Sequence, residues 1–99
     1  MFLAVAVSSL LLGQANTASI RGLVTDPSGA VVPGANVVLV DTGTGVQATT
    51  KTNPAGEYLF EFLSPGTYKI EVRSPGFKVF AHENIALDLA RQLRIDMPL

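Results

Sequence analysis

Over residues 53–77 apolar and polar side chains alternate in two runs, each bounded by a proline–glycine signal. Tyr58 and Phe60 alternate with Leu59 and Glu61, and Tyr68, Ile70 and Val72 alternate with Lys69, Glu71 and Arg73. A period of two gives each run one core face, which predicts strands over 57–62 and 67–74. The pairs Pro54/Gly56, Pro65/Gly66 and Pro75/Gly76 predict the chain reversals. Proline presets φ at about −65° at the first central position of a turn, and glycine supplies the positive φ that a type II turn needs next. A β-branched residue at Gly66 or Gly76 is therefore expected to be strained.

The same pattern runs through the rest of the chain. Residues 19–25 set Ile20, Gly22 and Val24 against Arg21, Leu23 and Thr25, a strand. Asp26-Pro27-Ser28-Gly29 predicts a type I turn, with the Asp26 carboxylate bonding the backbone two residues on and Gly29 closing it. The loop continues to Pro33-Gly34, and 35–40 reads as a strand with Val37 and Leu39 inward. A glycine-rich turn leads into a threonine-rich strand over 46–52, suited to a sheet edge and able to pair with a neighbouring chain. Residues 77–86 predict a strand with a bulge near Ala81 or His82, and Leu93, Ile95 and Met97 mark the last one. Residues 86–93 lack the cap that so short a helix would need. About seven short strands with frequent turns predict an all-β, antiparallel Greek-key sandwich.

Composition adds a compartment. Residues 1–12 are almost wholly apolar, which contributes to the 47% hydrophobic content of this 99-residue chain. The run is shorter than the about 20 residues that span a bilayer and suits the core of a signal peptide. Gly13 and Ala15 offer small residues for cleavage after Ala15; a second cut after Ala18 is the alternative. No Lys or Arg precedes the run, so the usual positive region points to a start further upstream. The other reading, a buried element over 2–12, has no helix or strand period behind it. The expected organisation is a signal peptide over 1–15, or to 18, and one domain over 19–99 with no transmembrane segment. Without cysteine, neither a disulfide framework nor a thiolate metal site forms, and an exported chain of this kind points to a bacterial source. Net charge is −1, which disfavours nucleic acid as a partner.

Several spaced motifs then occur in one order: G-x-V-x-D-x-x-G at Gly22 to Gly29, P-G-A-x-V-x-L at Pro33 to Leu39, T-x-x-x-G-x-Y-x-F-x-x-L-x-P-G-x-Y at Thr52 to Tyr68, and Gly76-Phe77. Together they resemble the carboxypeptidase regulatory-like domain, over nearly all of the mature chain. The resemblance implies a transthyretin-like sandwich, grouped with carbohydrate-binding-like folds. The DPSGAVVPGA wording and the signal-like start look most like the N-terminal extension of bacterial TonB-dependent outer-membrane receptors. That implies a periplasmic or outer-membrane-associated module whose partner is a protein or the rest of a receptor.

Individual chemistries find little support. Gly43 to Ala48 matches a dinucleotide fingerprint in letters, but a threonine-rich strand follows where the fingerprint needs a helix. His82 is the only histidine, so neither a zinc site nor a triad assembles around it, and no G-x-S-x-G elbow occurs. Asp26, Asp41, Asn53 and Glu57 lie in or beside loops, where turn capping is a commoner role than calcium binding. The related hydroxyisourate hydrolases keep several His and Arg residues and a C-terminal tetrapeptide that this chain lacks. No catalytic residue, cofactor or metal is expected. Asp26, Gly29, Gly34, Gly56, Gly66 and Gly76 read as structural turn residues, and Ser74, Phe77 and Phe80 as the candidate contact surface. The function expected is a non-catalytic exported interaction module; the alternative is a carbohydrate-binding module with a weak glycan ligand.

Overall fold

A computed structural model describes residues 17–99, so the signal-like stretch over 1–15 lies outside the described residues. Eight strands follow in order: β1 (Ala18–Thr25), β2 (Asn36–Asp41), β3 (Gln47–Lys51), β4 (Glu57–Leu63), β5 (Gly66–Arg73), β6 (Phe80–Leu87), β7 (Gln92–Arg94) and β8 (Met97–Pro98). They form two sheets. Sheet I has the order β4-β1-β7, with β8 also paired to β1; sheet II has the order β3-β2-β5-β6. After β2 and β3, the chain crosses to β4 and returns as β5 beside β2, which is Greek-key connectivity.

The alternation read from the sequence decides which faces meet. Tyr58 and Phe60 of sheet I and Tyr68, Ile70 and Val72 of sheet II are all buried, as are Ile20, Val24, Val37 and Leu39. Ile85, Leu87 and Met97 complete the core from β6 and β8. The Tyr58 and Phe60 rings meet edge to face at 6.0 Å. Thr52 is the one buried polar residue among those described; its hydroxyl donates to the Val32 carbonyl at 2.6 Å and accepts from the Ala35 N–H at 2.9 Å.

The last strand departs from expectation in two ways. It divides into β7 and β8 at Ile95, and both pair with β1 in parallel. A parallel neighbour needs a crossover, which β2 to β6 provide. Ile95 donates its N–H to the Arg21 carbonyl at 2.8 Å, while its own carbonyl accepts the Tyr58 hydroxyl. That carbonyl lies directly over Gly22: a Cβ there would sit 1.8 Å from the Ile95 oxygen. Gly22 is thus a close-approach position, where any side chain would prevent the end of the chain from crossing sheet I.

The turns also divide. Gly29, Gly34, Gly56 and Gly76 have positive φ, as a turn role requires, but Gly66 does not; it opens β5. β4 and β5 belong to different sheets, so Pro65 starts a crossing between layers and closes no two-residue hairpin. The positive φ falls instead on Phe62, at 57°, where Glu61 and Phe62 form a bulge against β1 between the Ala18↔Leu63 and Ile20↔Phe60 pairs. The bulge expected near Ala81 or His82 lies slightly further on. Glu83 and Asn84 together face the single residue Lys69 between the His82 and Ile85 pairings, with Asn84 at φ 58°. β6 starts at Phe80, so residues 77–79 lie between the Pro75-Gly76 turn and the strand.

Candidate functional site

Most of the loop side chains that could have done chemistry hold their own turns. The Asp26 carboxylate accepts from the Ser28 N–H at 2.9 Å, the Ser28 hydroxyl at 2.7 Å and the Ala30 N–H at 3.0 Å. The Ser28 hydroxyl in particular holds the Asp26 carboxyl below its ordinary value. Asp41 accepts from Gly43 and Thr44, and Asn53 accepts from Ala55 and Glu57. Among the described residues no three His, Asp or Glu side chains group to hold a metal ion. His82 is exposed on β6, an edge strand of sheet II.

The outer face of sheet I is differently furnished. Register places Leu59 beside Arg21 on one side and Arg94 beside Arg21 on the other, so the three form a row across β4, β1 and β7. Ser19 and Gln92 stand side by side in the next row, with Glu61 of β4 also on this face. With Lys51 and Asn53 from the end of β3 and its following loop, these residues line an open cleft of about 570 Å³. Arg94 contacts Asp96 at 3.2 Å, and the same Asp96 oxygen accepts the Leu23 N–H at 3.0 Å. Of the seven Lys and Arg residues, Lys69, Arg73, Arg91 and Arg94 lie within ion-pair distance of a carboxylate. Arg21, Lys51 and Lys78 make no such pair in the described structure, and two of these three line this cleft. Beneath it, burial pushes the Tyr58 phenol up, and the Asp96 carboxylate adds to the shift. Tyr58 thus remains a neutral donor to Ile95. The cleft offers hydrogen-bond donors and acceptors around one apolar side chain, with no nucleophile paired to a base.

A second surface is apolar. Val46, Phe62 and Leu63 border a groove of about 240 Å³ at the corner between β3 and β4, and Phe62 is 80% exposed because its bulge turns it away from the core. The surface expected from the sequence is weaker. Phe77 is 38% exposed, Ser74 is half-buried with its carbonyl accepting the Phe77 N–H at 3.1 Å, and Phe80 packs against the core. Phe80 pairs with Val72 and shares its inward face, so only Phe77, with Val79 two residues on, meets solvent substantially. Neither Phe62 nor the arginine row was anticipated. Leu59 was signalled, as an apolar residue in the polar set of an alternating run.

The fold is shared with proteins of diverse function. A candidate carbohydrate-binding protein from Bacteroides uniformis superposes with a TM-score of 0.65 at 22% identity, covering 82% of this chain and 40% of that one. The catechol 1,2-dioxygenase of Acinetobacter radioresistens gives 0.66 at 13% identity, covering 89% and 53%. The dioxygenase domain of a dioxygenase–carbohydrate-binding fusion from a Streptomyces species gives 0.60 at 10%, covering 86% and 80%. At these identities the likeness is one of fold. The chain spans less than half the length of the Bacteroides protein. No curated protein matches it significantly in sequence. Residues 19–99 match the model of the carboxypeptidase regulatory-like domain, and the chain belongs to that family.

Proposed function

We propose that the chain is a non-catalytic, exported β-sandwich acting as an accessory or interaction module, the N-terminal extension of a TonB-dependent receptor-like outer-membrane protein. The observation that carries the non-catalytic reading is the division of labour among its polar side chains. Asp26, Asp41 and Asn53 are held by their own turns, and the polar cleft on sheet I combines donors and acceptors without a nucleophile–base pair. Export rests on the apolar run over 1–12 and the small residues before Asn16. Cleavage after Ala15 suits the fold better than cleavage after Ala18, because Ala18 is buried and pairs with Leu63 at the start of β1. Family membership and the DPSGAVVPGA wording support the receptor context.

The test expresses the full chain with a C-terminal tag in a Gram-negative host, its start preceded by a short lysine-containing segment that supplies the positive region. The expected product is periplasmic, begins at Asn16 by mass spectrometry and turns over no ester, amide or glycoside substrate. A cytoplasmic product with an intact N-terminus, or steady hydrolysis, would refute the reading. Glycan recognition is the second reading, supported by the mixed donors and acceptors of the sheet I cleft.

A further inference from the structure

We infer that the outer face of sheet I binds an oligosaccharide containing uronic acids, with Arg21 and Lys51 receiving a sugar carboxylate and Leu59 packing under a pyranose ring. The inference rests on the reading of the domain as a non-catalytic binding module.

Three features of the cleft lead to it. Arg21 and Arg94 are direct neighbours on parallel strands, which stand about 4.8 Å apart, and like charges side by side at that spacing destabilise a sheet. Asp96 offsets Arg94, whereas Arg21 and Lys51 have no carboxylate partner in the described structure, so a ligand anion would relieve the repulsion. Leu59, at the other end of the row, is 48% exposed and gives an apolar floor beside the guanidinium. Glu57 and Glu61 flank the row and offer acceptor oxygens; Glu57 already takes one hydrogen bond from the Asn53 amide at 3.3 Å. Sugar hydroxyls supply these acceptors with donors, which a polyphosphate lacks. A ligand with carboxylates, hydroxyls and an apolar ring face satisfies all three features, and the cleft volume falls within the about 300–1,000 Å³ of small-molecule sites.

Calorimetric titration of the exported chain with trigalacturonic acid, at low salt, tests the inference. Binding is expected to be at least about tenfold tighter than for the neutral galactose trisaccharide, and to weaken with added salt. Arg21→Gln and Lys51→Gln should each weaken it about tenfold, the loss of one charge-assisted hydrogen bond, without lowering Tm, because both side chains are exposed and Arg21→Gln also removes the repulsion with Arg94. Lys78→Gln, an exposed cation outside the cleft, should leave it unchanged. Equal affinity for the neutral sugar, no binding, equal binding of a poly-glutamate peptide, or the same loss in Lys78→Gln would overturn it. Appearance of new reducing ends would instead refute the non-catalytic reading while supporting recognition of the acid sugar.

Discussion

On the solvent face of β5 in sheet II, Glu71 lies between Lys69 at 3.2 Å and Arg73 at 3.0 Å; on the solvent face of sheet I, Arg21 stands beside a second arginine with no carboxylate of its own. The first arrangement neutralises itself, and Lys69, followed by Arg73, holds the Glu71 carboxyl below its ordinary value. The second leaves charge directed at solvent. The backbones differ in the same sense. Sheet II is a continuous run of antiparallel pairs, whereas sheet I depends on a late segment that crosses over Gly22 to pair in parallel with β1. Sheet II is self-contained, and sheet I depends on distant chain and carries the uncommitted face.

If that contrast is right, the largest effect will come from closing the space over Gly22. Gly22→Val should lower stability by roughly 3 kcal/mol or more, read as a shift in the urea midpoint, because the Ile95 carbonyl leaves no room for a Cβ. A midpoint within experimental error of the parent would break the contrast. Next is the joint between the sheets: Thr52→Val should cost about 1–3 kcal/mol by leaving the Ala35 N–H and Val32 carbonyl without their partner. The two proline–glycine sites differ on a smaller scale. Gly76→Ala should cost about 1 kcal/mol from positive φ alone, since nothing lies within 4 Å of the added Cβ, while Gly66→Ala should be near neutral. Equal costs would contradict the backbone described here. The smallest effect concerns charge in sheet II. The folded state depresses Glu71, so its contribution is complete above the unfolded value near 4.5 and disappears as pH falls through the lower folded value. Glu71→Gln should flatten that part of the acid stability profile by less than about 1 kcal/mol, as expected for an ion pair at the surface.

What the amino-acid pattern revealed, and what it concealed, follows from the range of the interactions. The inward faces of β4 and β5 were legible because Tyr58, Phe60, Tyr68, Ile70 and Val72 obey a local period of two. The Asp26 turn was legible because its hydrogen bonds span at most four residues. Phe62 was not, because its bulge arises where β4 meets Ala18, far away in the chain. Gly66 misled because a Pro-Gly pair looks the same whether it closes a hairpin or begins a crossing between sheets. Phe80 was expected at the contact surface, but pairing with Val72 turns it toward the core. The arginine row was the least legible feature, since it exists only after β7 returns to lie parallel to β1.

The uncommitted face of sheet I is the proposed recognition surface. A heteronuclear NMR titration of the labelled protein with trigalacturonic acid reports the location of binding as well as its strength. Saturable shifts are expected in the backbone amides of Ser19, Arg21, Lys51, Leu59, Glu61, Gln92 and Arg94, with β5 and β6 unmoved. Shifts centred on Phe62 and Val46, or on Phe77, or no shifts at millimolar ligand, would contradict it.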